Sequence, residues 1–165
     1  MHTYRVVCSL LLLFSGAAFG QCFHAKALAE KMDAYSAVIP HAHTYIKHCG
    51  ASFIAGGVEA CTIHNSGPYF IQLAVPNPAE ARLRIQLVAG GGPNSHGFRR
   101  YGGPALLSFL MSVTGAQNGG LYLFETLSKH TLDAKAHWHG VRVFQVVTPH
   151  AYTWTAKLTS ANACR

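Results

Sequence analysis

The stretch "ALLSFLMSVTGAQNGGLYLF", residues 105–124, decides the fold. Two apolar runs flank a polar, glycine-bearing interval, "TGAQNGG" (114–120). Short apolar runs bounded by turn residues fit buried strands. The chain beyond Pro40 has the same texture throughout. "TYIKHC" (44–49), "SFIAGG" (52–57), "CTIH" (61–64), "YFIQLAVP" (69–76), "RLRIQLVAGG" (82–91), "ALLSFLMSV" (105–113), "GLYLFETL" (120–127), "WHGVRVFQVV" (138–147) and "YTWTAKL" (152–158) are rich in strand formers. "NSGP", "PNPAEA", "GGGPNSHG", "YGGP" and "TPH" punctuate them. Tyr69, Ile71, Leu73 and Val75 alternate with their neighbours, as do Leu83, Ile85 and Leu87 with Arg84 and Gln86. That period of two belongs to half-buried strands. The expectation is an all-β chain, an antiparallel β-sandwich or jelly roll with a short N-terminal helix.

The helix is expected in "HAKALAEKMDAY" (24–35), where Leu28, Met32 and Tyr35 fall on one face. Before it, "MHTYRVVCSLLLLFSGAAFG" (1–20) has a basic residue, a short apolar run and small residues before Gln21. That is the layout of a secretory signal peptide, and the run is too short to span a bilayer. The expected organisation is a leader over 1–20, a helical segment over 21–33, a β-sandwich domain over 34–148, and a C-terminal strand with a tethered tail over 149–165. The expected compartment is extracellular, with no membrane span.

Cys8 leaves with the leader, and Cys22, Cys49, Cys61 and Cys164 remain. Four cysteines in a secreted chain read as two disulfides with three alternative pairings. Proximity in sequence favours Cys49–Cys61, which leaves Cys22–Cys164 to join the ends. The chain carries 13 basic and 6 acidic side chains, a formal net charge of +7 that becomes +6 once Arg5 is removed. Basic secreted proteins are drawn to anionic surfaces. Arg82, Arg84, Arg99 and Arg100, in "RLR" and "FRRY", are the candidate ligand-surface residues.

No catalytic constellation is expected. The chain has no G-x-S-x-G, no H-E-x-x-H, no phosphate-binding P-loop and no EF-hand loop. Ser95-His96 sits in a glycine-rich loop without an orienting acid, and nothing selects a catalytic pair from Glu59, Glu80, Glu125 and Asp133. Metal is the chemical alternative. "HAH" (41–43) and "HWH" (137–139) each place two imidazoles at i, i+2, one face of a strand. His41, His43, His137 and His139 meeting in space would suit zinc or copper. Otherwise no cofactor is expected. In "HWHG" (137–140), alternation sets Trp138 on one face and both histidines on the other.

The order of these segments resembles the C1q-like globular domain. "TIHNSGPYFIQLAV" carries Gly67, Pro68 and Tyr69 where that family has G-x-Y before an aromatic-rich strand. "LRIQLVAGGG" resembles its next strand and turn. "ALLSFLMSVTGAQNGGLYLF", with Gly120, resembles its paired strands about a turn. "WHGVRVF", with Trp138 and Gly140, resembles its closing aromatic-x-Gly strand, and "AYSA" (34–37) its opening strand. The resemblance implies a jelly roll assembled as a homotrimer, and a non-enzymatic recognition protein for protein, glycan or anionic-surface ligands, with no specific nucleic-acid role. Calcium is not carried over, because Asp33, Asp133 and the four glutamates do not cluster. Secreted glycine-rich or lectin-like β domains share part of the pattern and also imply binding. A His-rich secreted metalloprotein or a small secreted hydrolase is the alternative from another class.

Overall fold

A computed structural model describes residues 22–39, 44–52, 58–65, 69–86, 98, 102–160 and 164. The leader expected over 1–20 lies outside these residues. The described chain opens with helix α1 (Ala25–Ser36), followed by β1 (Thr44–Ser52), β2 (Val58–Asn65), β3 (Phe70–Asn77) and β4 (Glu80–Gln86). Helices α2 (Gly103–Thr114) and α3 (Gln117–Ser128) come next, then β5 (Ala134–Trp138), β6 (Val141–Thr148) and β7 (Ala151–Leu158). All seven strands form one antiparallel sheet in the order β1-β2-β3-β4-β7-β6-β5. Strands β1 to β4 form a meander. The α2–α3 hairpin then carries the chain to the far edge, and β5 to β7 return so that β7 closes on β4.

Turn chemistry fixes the registers. Asn77 pairs with Glu80 across Pro78-Ala79, and the Ala79 N–H donates to the Asn77 side-chain oxygen at 3.0 Å. Asn then Pro at successive positions is the signature of a type I turn. Trp138 pairs with Val141 across His139-Gly140, both with positive φ (34° and 80°). Two left-handed residues make the type I′ turn that suits the twist of a hairpin. Thr148 pairs with Ala151 across Pro149-His150, and the Thr148 hydroxyl donates to the Ala151 carbonyl at 3.0 Å.

Alternation along the strands sorts the sheet into two unlike faces. Ile63, Ile71, Leu73, Leu83, Ile85, Val143, Trp154 and Ala156 are buried on one face. Trp154 is therefore a core residue. All three helices lie on that side within one hydrophobic cluster. Leu28 and Met32 of α1 are buried as the helical period requires, together with Ala25 and Ala29. Cys49 pairs with Cys61 directly across β1 and β2, and Cys22 pairs with Cys164. The pairing favoured by sequence proximity is the one formed.

Two expected strands are helices. Residues 105–113 lie in α2 and residues 120–127 in α3. α2 is enclosed by α1, α3 and the sheet, and ten of its twelve residues are buried. A helix covered on all sides has no polar face, so its sequence reads like a central strand. Its hydroxyls are satisfied within the helix: Ser108, Ser112 and Thr114 donate to the carbonyls of Pro104, Ser108 and Leu110 at 2.7–2.9 Å. Pro104 opens the helix, and Gly115, at φ 65°, closes it in the left-handed conformation.

Gly119 and Gly120 are not a turn between strands. Both are buried in α3, where Leu123 and Leu127 continue the same face. A Cβ on Gly120 would meet the backbone N and Cα of Met111 at 2.6 and 2.7 Å, and a Cβ on Gly119 would meet the Trp138 indole at 2.6 Å. Of "AYSA", residues 34–36 finish α1 instead of opening a strand. The second layer of the described residues is thus helical, and the second sheet that a sandwich or jelly roll requires is not found among them. The antiparallel, β-rich character and the N-terminal helix are as expected.

Gly120→Ala measures this contact. At an exposed helical site the substitution stabilises by up to about 1 kcal/mol. Here overpacking against Met111 should destabilise by about 1–3 kcal/mol, read as a lower urea midpoint.

Candidate functional site

Among the described residues, no helix covers the second face of the sheet. Residues that alternate away from the core meet there in cross-strand rows. His137, Arg142, Lys157 and Glu80 form one row across β5, β6, β7 and β4. Lys135, Phe144, Thr155 and Arg82 form the next, and Val146, Thr153, Arg84 and Gln72 the third. Neighbouring strands lie about 4.8 Å apart, so each row is a continuous strip of side chains. The strands place Lys135, Arg142, Lys157, Arg82 and Arg84 on this face, with Glu80 as the acid among these rows.

Glu80 organises part of that charge. It is 7% exposed although it lies on the open side, because Arg82 and Lys157 fold over it. The Arg82 Nε donates to Glu80 Oε1 at 2.6 Å, and Lys157 Nζ lies 3.2 Å from Oε2. Burial by itself raises the Glu80 carboxyl. The hydrogen bonds and charges of Arg82 and Lys157 together outweigh it, and the group titrates below its ordinary value of 4.5. Arg82 and Lys157 remain half exposed at their outer edges.

Phe144 sits half-buried beside Lys135 and next but one to Arg142 along its own strand. Lys135, Ala136, His137, Arg142 and Phe144 line a shallow concavity of about 380 Å³. It offers a ring face, two cations and an imidazole to one ligand. Phe70 (40% exposed) and Val146 (45%) add apolar area to the same face.

Of the candidate ligand-surface residues, Arg82 and Arg84 lie on the open face, whereas Arg99 and Arg100 lie outside the described residues. Lys135, Arg142, Phe144 and Lys157 complete the face. Their signal was present in the alternation of "AKAHW" and "VRVFQVV", but the cross-strand neighbours that join them to Arg82 come from the sheet order alone.

Of the two histidine pairs, the described one departs from expectation. His41 and His43 lie outside the described residues. His137 is exposed on β5, but His139 has left the strand and occupies the turn, with its ring edge-on to Trp138 at 4.6 Å. The two do not share a strand face. Among the described residues no three His, Cys, Asp or Glu side chains gather as metal ligands. Trp138 faces the helix layer, as alternation requires, and packs against Tyr122 at 5.3 Å. Gly140 is a turn residue whose carbonyl accepts from the Thr159 N–H at 2.7 Å. Of the remaining motif positions, Tyr69 is buried and edge-on to Phe98, and Gly67 lies outside the described residues.

No helix among the described residues is long and apolar enough to cross a membrane. Together with the two disulfides this is compatible with an extracellular protein. No protein-family model, curated protein or solved structure matches the chain.

A lowered carboxyl pKa has a defined effect on stability. The unfolded chain binds a proton at Glu80 more readily than the folded chain does. Its contribution is complete above about pH 4.5 and is lost as pH falls through the lower folded value. Urea midpoints should fall with acidification in that window, and Glu80→Gln should flatten the Glu80 part of the fall.

Proposed function

We propose that this chain is a non-enzymatic binding protein and that the open sheet face is its ligand surface, recognising acidic glycans outside the cell. The observation that carries the reading is the clustering of Lys135, Arg142, Lys157, Arg82 and Arg84 on four adjacent strands, with Glu80 as the one carboxylate in their rows. A flat array of cations concentrates polyanions and steers their approach. Phe144 supplies a partly exposed ring on which the apolar side of a sugar stacks, while Lys135 and Arg142 pair with sulfate or carboxylate groups on either side. Binding of this kind needs no catalytic group. The disulfides and the leader-like first twenty residues favour extracellular glycans over nucleic acid as the source of the anion. The reading rests on this face and not on the C1q-like resemblance, part of whose strand pattern falls on α2 and α3.

Heparin is the probe. Wild-type protein should bind it with an affinity that falls steeply as salt rises. Arg84→Glu and Arg142→Glu should each weaken binding about five- to tenfold. Lys129→Glu, at the end of α3, changes the net charge equally and should leave binding nearly unchanged. Equal losses from all three variants would contradict a dedicated face. Equal competition by duplex DNA of matched charge would contradict glycan selectivity.

A further inference from the structure

On the opposite side of the sheet, where α2 begins and α3 ends, the helix layer does not close on the strands. A cavity of about 360 Å³ remains there. Gly103 and Leu106 of α2, Phe124 and Leu127 of α3, and Tyr152 and Trp154 of β7 line it. Ser128 and His130, both exposed, stand at its outer edge. The volume lies at the small end of the range typical of ligand pockets and exceeds the roughly 150 Å³ that suffices for a benzene-sized guest. No Lys, Arg, Asp or Glu is among its described lining residues.

The walls are held in place. Phe98 packs on Tyr152 with ring centroids 5.0 Å apart, and Tyr152 stacks on Trp154 at 5.8 Å. Buried Gln145 ties the site together. Its side-chain oxygen accepts from the Trp154 indole N–H at 2.8 Å, and its amide donates to the carbonyls of Leu132 at 2.8 Å and His130 at 3.2 Å. These polar groups are satisfied by one another and are not free to hold a guest.

Tyr152 differs from them. It is 2% exposed, lines the cavity, and its hydroxyl has no hydrogen-bond partner among the described residues. Burial pushes its phenol above the ordinary value of 10.0, with no hydrogen bond contributing. Buried hydroxyls in folded proteins are almost always paired. A buried phenol with no partner among the described residues, on the wall of a largely apolar cavity, is the place where a guest would supply one.

We propose that this cavity binds a small, uncharged aromatic or alicyclic molecule carrying one hydrogen-bonding group, and that this group pairs with the Tyr152 hydroxyl. The aromatic and leucine walls take the ring by burial and stacking. Tyr152 selects a hydroxyl or carbonyl over a plain hydrocarbon. The site is separate from the basic face and does not depend on the glycan reading.

Titration of the full chain with 2-naphthol and with naphthalene tests it. Wild-type protein should bind 2-naphthol saturably at one site, about tenfold more tightly than naphthalene. Tyr152→Phe should abolish that preference while keeping naphthalene binding. Its thermal midpoint without ligand should be equal to or above that of wild type, because no hydrogen bond is lost. Ser128→Trp, a surface change at the outer edge of the cavity, should weaken both probes. The proposal is overturned by absent saturable binding, by equal binding of the two probes to wild type, or by Ser128→Trp leaving both affinities unchanged.

Discussion

The architecture depends on how closely α3 approaches its neighbours. At Gly120 the backbone of Met111 occupies the space a Cβ would need, and at Gly119 the indole of Trp138 does. Two glycines inside a helix cost about 1 kcal/mol each in backbone entropy. Here they allow α3 to close on α2 from one side and on the β5–β6 hairpin from the other. That closure completes the enclosure of α2, whose Phe109, Leu110 and Met111 are fully buried, each contributing about 1.5–3 kcal/mol. It also sets Trp138 between the helix layer and the edge of the sheet.

Covering one face with helices leaves the other with a different task. The helices supply all of the second layer among the described residues, and the open side keeps only what the strand period sends there. β4 sends Glu80, Arg82 and Arg84, β7 sends Thr155 and Lys157, β6 sends Arg142 and Phe144, and β5 sends Lys135 and His137. Glu80 restrains Arg82 and Lys157 in defined positions while leaving their outer edges in water. Under the proposed function, Arg82 and Lys157 are preorganised by Glu80, so these two side chains would need little further ordering to meet an anion. The same layering holds the cavity beside Tyr152, between the start of α2, the end of α3 and β7.

The strands were legible and the helix hairpin was not, for one physical reason. Tyr69, Ile71, Leu73 and Val75, and Leu83 with Ile85, alternate against polar partners because one face of their strands meets water. α1 was legible because its outer side is solvated and Leu28 and Met32 recur at the helical period. α2 has no wet side, so "ALLSFLMSV" displays no period at all. The "NGG" of α3 imitates turn chemistry, because glycine needed for close packing cannot be told from glycine needed for a left-handed turn. Arg82 and Arg84 were singled out by local charge density, and both lie on the open face. Arg142 and Lys135 join them on that face only through the order β4-β7-β6-β5, which no local pattern displays. "HWHG" shows both outcomes: Trp138 goes inward as its period requires, while Gly140 pulls His139 out of the strand and into the turn.

Under the proposed function, acidic glycan is met on the open sheet face and not on the outer surface of the helix layer. Two-dimensional amide and side-chain NMR spectra, recorded during titration with a size-defined sulfated oligosaccharide, address it directly. Shifts concentrated at Lys135, Arg142, Phe144 and Arg84 are expected, with α1, α2 and α3 unchanged. Shifts concentrated in the helices, or none at all at saturating oligosaccharide, would contradict it.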